Sequence, residues 1–459
     1  MLRGPGAPEH GAISMKPSLR TIIASALSLG ALCAVAAWPN YANRSADAAH
    51  AAALPTMAPV VADYQQRDKL IAFWEGMENK HNPQDMLSPR KLAEEYLQRY
   101  RERGDIDDVL RAQKSAFLSL KAQPHGNLSG ELQLASIYLT LHKFREALAV
   151  THHIESFDPS DDRMFAREAS LDMEIGAYDL ARRRLDSVKL ADRDDGWRVV
   201  ESRYLELTGH LTAARELLAT ASANENATID NPAQQRAWYF FRQGEMAFEA
   251  GDNDKALTDE RQAIALFPNY ADGYRLLARF ECALHRWTEC LADATTSANL
   301  VPFPETLGYE ADAQRALGDA PGAARTDGLI ATIEKIGNTQ HISDRLLAIY
   351  YSEHRMRAAD AYAIAKRELK VRDDIFTEDT LAWAAAMAGR WNEARTASAK
   401  ALRFDTENSL LQYHGGIIEL HFSEREQAKR RFEKAVALNA SFHPAYADDA
   451  RSQLAALQR

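Results

Sequence analysis

The sequence predicts an all-α fold, an array of helix hairpins stacked into a superhelix, and three observations carry that prediction. First, a glycine or turn residue is followed five positions later by a small side chain, and the pair keeps returning: Gly176 with Ala181, Gly209 with Ala214, Gly251 with Ala256, His285 with Cys290, Gly318 with Ala323, Gly389 with Ala394 and Ser423 with Ala428. The steps between successive small residues are 33, 42, 34, 33, 71 and 34, with the 42 leaving room for a loop and the 71 for one degenerate unit. Second, Pro159, Pro268 and Pro302 each lie twelve residues beyond Ala147, Ala256 and Cys290. Third, from Pro89 onward the apolar residues keep helical spacing, with no convincing alternating strand.

Taken in order, residues 1–14 read as a variable or non-native start, because Met15-Lys16 makes a more natural beginning to the apolar segment after it. Residues 15–45 hold an uncharged, mostly apolar run from Thr21 to Trp38 behind Lys16 and Arg20. This is the pattern of a signal peptide, or of an anchor near the lower length limit for a bilayer span. The basic flank predicts export of the remainder of the chain to a periplasmic or other extracytoplasmic location, with residues 21–38 as a candidate tether. Lipidation of Cys33 is disfavoured, since Leu32 precedes it where a small residue is needed. Residues 46–85 are expected to be a linker, 86–228 a first repeat array, and 229–459 a second array with a terminal helix. The polar stretch Ser222 to Arg236 is the loop expected between the two arrays.

Each recurring residue has a mechanical reason. Two antiparallel helices cross closely only where small side chains meet, so Gly, Ala, Ser or Cys is needed there. A glycine between the helices accepts positive φ without a Cβ clash. A proline ends the second helix, because it lacks an amide proton and restrains the residue before it.

These residues resemble tetratricopeptide repeats (TPRs). The unit from Leu128 carries Leu134-Ala135, Tyr138, Ala147 and Pro159 in the family's register; the unit from Ala237 carries Gly244, Gly251, Ala256, Ala263 and Pro268. From Ala271 come Leu277-Ala278, Cys290 and Pro302, and from Ile375 come Leu381-Ala382, Gly389, Ala394 and Ala401. The resemblance implies a right-handed superhelical solenoid of about ten units: 90–123, 128–161, 162–195, 195–228, 237–270, 271–304, 304–337, 341–374, 375–408 and 409–442. The unit 341–374 fits worst, with Arg355 in place of the turn glycine and Asp360 in place of the crossing alanine, and the superhelix is expected to shift there. The segment from His443 to Arg459 fits a solubilising cap.

Composition narrows the function. A formal net charge of -10 and a pI near 5.8 argue against nucleic acid as a partner. Three cysteines give no disulfide framework and no zinc motif. Cys282 and Cys290 are expected to be reduced, packed thiols rather than a bridge, on the reasoning that they sit at different depths of one hairpin. Ser88 with Lys91 matches an isolated acylase pattern, but Ser before Pro89 is better read as a helix start, with Ser88 as its cap. His152 and His153 with Glu155 could suggest a metal site. Neighbouring residues on a helix diverge by about 100°, however, so solvated side chains are the expectation. No catalytic residue, metal ligand or cofactor is assigned, and the chain is not expected to be an enzyme.

What the resemblance adds is a concave groove lined by the first helix of each unit. The matching positions hold Arg203, Trp238, Phe241, Glu245, Phe248, Arg275, Arg279, Trp383 and Tyr413. Aromatic residues and arginines are the side chains that anchor interfaces. The plainer reading is that these rings pack between helices and that Arg275 or Arg279 pairs with Glu245. The expected function is a cell-envelope scaffold binding a partner peptide or helix. The alternatives are an accessory subunit of an enzyme complex and an array facing the cytoplasm behind an anchor.

Overall fold

A computed structural model describes residues 63–78, 82–157, 159, 161–227, 232–337 and 344–458. The expected signal or anchor, and the Ala-rich stretch after it, lie outside the described residues, as does the start at Met15. Among the described residues there are twenty-two α-helices and no strand, and no helix is long and apolar enough to cross a membrane. A first helix, α1 (Asp63–Glu78), falls within the stretch expected to be linker and buries Ile71 against α2.

Ten hairpins come next, one for each unit read from the sequence. They are α2/α3 (Leu87–Arg103, Ile106–Ala122), α4/α5 (Leu128–Thr140, Phe144–Glu155), α6/α7 (Arg163–Glu174, Tyr178–Ser187), α8/α9 (Asp195–Leu207, Leu211–Ala227) and α10/α11 (Ala233–Glu249, Asn253–Leu266). Then come α12/α13 (Ala271–Ala283, Trp287–Leu300), α14/α15 (Pro304–Ala316, Ala320–Gly337), α16/α17 (Asp344–Glu353, Ala358–Glu368), α18/α19 (Ile375–Met387, Trp391–Ala401) and α20/α21 (Ser409–His421, Arg425–Leu438). The cap α22 (Tyr446–Leu457) closes the series. The two helices of each hairpin pack on one another, each hairpin packs on the next, and the first helices of most adjacent units are also in contact.

The recurring small residues are where the helices cross: Ala147, Ala181, Ala214, Ala256, Cys290, Ala394 and Ala428 are all wholly buried. In the poorest unit the crossing is taken by Ala361, one residue after the expected Asp360, and Arg355 adopts the left-handed φ of 52° that glycine supplies elsewhere. The hairpin forms nonetheless, because the backbone requirement is for positive φ and the packing requirement is for a small side chain near the crossing.

Three local expectations are corrected. Asp85, not Ser88, starts α2: its Oδ1 accepts from the amides of Leu87 (3.0 Å) and Ser88 (3.1 Å), and Ser88 is already inside the helix. In the polar stretch Ser222 to Arg236 the described residues are nearly all helical, with α9 running to Ala227 and α10 starting at Ala233, while 228–231 lie outside the described residues; one apolar cluster holds residues on both sides, from Val199 to Ala283. Cys282 and Cys290 form a disulfide. The hairpin brings their Cα atoms to 5.3 Å, inside bridging range, so the two positions share one depth.

The array curls until it meets itself. The hairpin turns of α6/α7, α8/α9 and α10/α11 abut the connections between units at 372–374, 404–408 and 438–440. Asp373 N donates to Glu174 O (3.1 Å), Ile375 N to the Tyr178 hydroxyl (3.2 Å), Thr406 Oγ1 to Leu207 O (2.6 Å) and Asn439 Nδ2 to Phe248 O (2.6 Å). Arg372 pairs with Glu174 at 2.7 Å. The approach is backbone to backbone: a Cβ on Gly251 would stand 2.5 Å from Leu438 O. The turn glycines therefore serve the contact between superhelical turns as well as their own hairpins.

Candidate functional site: an ion-paired lumen

The curl surrounds a partly open cavity of about 210 Å³, walled by the first helices α8, α10, α12, α14, α16, α18 and α20 and by the connection Phe442–Pro444. Seven of the nine predicted groove residues line it: Arg203, Trp238, Phe241, Glu245, Arg275, Arg279 and Trp383. The other two do not. Phe248 is wholly buried and stacks on Phe280 at 4.3 Å, and Tyr413 is sealed against Tyr446 at 4.7 Å with its hydroxyl on Asp449. Both rings face the packing between helices rather than the lumen.

The lumen arginines are largely consumed by acids on the same wall. Arg203 and Arg242 both reach Glu206 (2.8 and 2.6 Å), and Arg242 also bonds Glu245. Arg275, only 2% exposed, holds Asp272 and Glu305 (2.9 and 3.0 Å), and Arg279 holds Glu249 (2.8 Å). The predicted pairing of Arg275 or Arg279 with Glu245 is thus replaced by pairing with Glu305 and Glu249. Burial opposes ionisation throughout, yet the four guanidinium groups around Glu245 outweigh it and hold that carboxyl below its usual range. Each pair is a largely desolvated charge satisfied by its neighbour.

Some groups escape this pairing. Arg345 on α16 makes no hydrogen bond or ion pair among the described residues, and burial together with nearby Arg372 presses its pKa down, against the pull of Asp374. Glu353, two turns along the same helix, has no side-chain hydrogen bond among the described residues; its nearest cationic candidate is His443 Nε2 at 3.9 Å. Burial pushes the Glu353 carboxyl up to about 7. His443 is itself kept neutral: burial and the proximity of His414 push it down to about 3. His414 gives Nδ1 to Asp379 (2.9 Å) and leaves Nε2 without a partner.

Outside the lumen, His152 and His153 diverge as expected. His153 Nδ1 meets Glu131 at 2.8 Å, while His152 turns towards Glu168 of α6. What the sequence did not reveal is that His152, Glu155 and Glu168 bring ligand atoms within 4.8 Å of one another. Arg184 already stands among them, with Nη2 2.9 Å from His152 Nε2, its Nη1 on Glu168 and Nε on Asp172. A guanidinium therefore fills the place a cation would take.

Ten stacked hairpins, small residues buried at each crossing, left-handed turns between paired helices and an inner wall built of first helices together decide the architecture. The fold is a tetratricopeptide-type array. No protein-family model matches this chain, and no curated protein does. Among solved structures, a tetratricopeptide repeat protein from Parabacteroides merdae is 17% identical, covering 58% of this chain and 99% of that one, with a TM-score of 0.33. Yeast Tom70 is 11% identical over 81% of this chain and 96% of its own, also at 0.33, and PilW, described as a type IV pilus biogenesis factor, is 16% identical over 49% and 99%, at 0.38. Superpositions this loose carry no inference about what this array binds.

Proposed function

We propose that this chain is a non-catalytic protein-binding scaffold of the cell envelope that holds a peptide segment of its partner in the lumen of the array. The observation that carries the reading is the convergence of aromatic and charged side chains from seven first helices on one cavity. By volume it has room for roughly one to two dozen waters, which suits a short chain segment rather than a folded domain. Export is supported by the basic residues ahead of the apolar run 21–38 and by the buried disulfide, a bond that persists in oxidising compartments.

The test is cross-linking capture from native membranes with the wild-type chain and with a Trp238→Ala/Phe376→Ala variant whose helical circular dichroism is unchanged. Loss of one specific, reproducible partner is expected. A wild-type chain with no reproducible partner, or a partner kept by the variant, overturns the lumen as the binding surface. A phosphatase reporter fused at the C-terminus, active only outside the cytoplasm, tests export.

A further inference from the structure

We propose that the lumen accepts a free zwitterionic peptide of three or four residues, its carboxylate on Arg345 and its ammonium group on Glu353. This rests on the reading of the lumen as the binding surface, and it adds what that surface recognises.

The argument begins with what is left over. Arg203, Arg242, Arg275 and Arg279 each have a carboxylate within hydrogen-bonding reach, whereas Arg345 has none among the described residues. A guanidinium carries five N–H donors and no acceptor, so its needs in a cavity are met by an anion with a planar pair of oxygens. Glu353 presents the opposite deficit. Around it lie Arg279 and His354 on the cationic side and Glu305 and Asp312 on the anionic side. Arg279 is spent on Glu249, and His354 is spent on Asp312 at 3.0 Å. His443 stands 3.9 Å away but is held neutral, so a donor cation is missing there.

Spacing sets the length. Arg345 and Glu353 are eight residues apart on α16, about 12 Å of helix rise. An extended peptide advances about 3.3–3.6 Å per residue, so three or four residues carry its two charged ends across that distance. Ile349 and Ser352 of α16 lie between the two sites, and Trp238, Phe241, Phe376 and Trp383 offer apolar walls to the side chains. One arginine and one acid of the lumen wall have no hydrogen-bonded charged partner among the described residues, so a ligand with one anionic and one cationic end serves both, whereas a polyanion leaves Glu353 unserved.

The experiment titrates Ala-Phe-Ala and Ala-Phe-Ala-Ala into the whole chain, monitored by the fluorescence of the lumen residues Trp238 and Trp383 and by calorimetry. N-acetylated and C-amidated forms run in parallel. The free peptides are expected to bind, and amidation or acetylation to weaken binding by about tenfold or more. In Arg345→Gln amidation should change affinity by less than about twofold, and in Glu353→Gln the same should hold for acetylation. No binding at millimolar peptide, or equal binding of capped and free forms, overturns the proposal. The two failures are separable. A chain that captures its partner but ignores free peptides refutes only this inference, while one that binds free peptides and captures nothing refutes the scaffold.

Discussion

Replacing Gly251 with alanine tests the closure of the array, and Gly389 supplies the control. Both glycines have left-handed φ, 74° and 72°, so both substitutions carry the same backbone penalty, about 1–2 kcal/mol. They differ in what a new Cβ meets. At Gly389 nothing lies within 4 Å; at Gly251 Leu438 O lies 2.5 Å away. To reach an ordinary contact, the 438–440 connection must retreat by a large fraction of an ångström. That movement strains the bond from buried Asn439 Nδ2 to Phe248 O, at 2.6 Å. Leaving those two buried groups unpaired costs about 1–3 kcal/mol more. Gly251→Ala should therefore destabilise by about 2–5 kcal/mol and Gly389→Ala by about 1–2 kcal/mol. Urea titration read by circular dichroism measures both, and small-angle scattering should show a larger radius of gyration for Gly251→Ala alone. Equal losses with unchanged dimensions would mean that the turns do not touch in solution, and the lumen would fall with them.

Other outcomes come from single features. Arg275→Ala removes the buried guanidinium that bridges Asp272 and Glu305 and should cost about 3–5 kcal/mol in a denaturant titration, so a charge reversal there reports stability rather than binding. Reducing the Cys282–Cys290 bridge, with a sequence separation of 8, should lower stability by about 2.5 kcal/mol; the check is a denaturation midpoint with and without reductant, with intact mass confirming the bond. Glu353 has its folded pKa raised from 4.5 to about 7, so the folded state binds the proton more tightly than the unfolded one. Stability from this group is complete below about pH 4.5, falls by roughly 3 kcal/mol as pH rises to about 7, and stays lower above it. Glu353→Gln should flatten that limb of a stability–pH profile.

The array is legible in the sequence because its cause is local and periodic: a small residue at each crossing and a left-handed residue at each turn repeat whether the latter is Gly251, His285 or Ser423. The inner register is legible too, which is why seven of nine groove residues meet. Continued through the weakest unit, the same register points to Arg345, Ile349, Ser352 and Glu353, all of which line the lumen. Arg355 and Asp360 mask them, because they spoil that unit's turn and crossing. The closure itself is hidden, since Asn439 finds Phe248 191 residues away and no short-range pattern records that partner. The disulfide is hidden for a different reason: hairpin depth depends on how two helices slide, which position numbers alone do not fix.

The contact between superhelical turns changes how such a chain comes apart. In an open stack each hairpin leans only on its immediate neighbours, and an end can fray or be trimmed with little cost to the middle. Here the fifth hairpin is latched to the tail of the tenth, so cutting away the last hairpins would strip the rims of three hairpins near the centre of the sequence. Melting should accordingly be more concerted, and folding slower, than the number of hairpins alone would suggest.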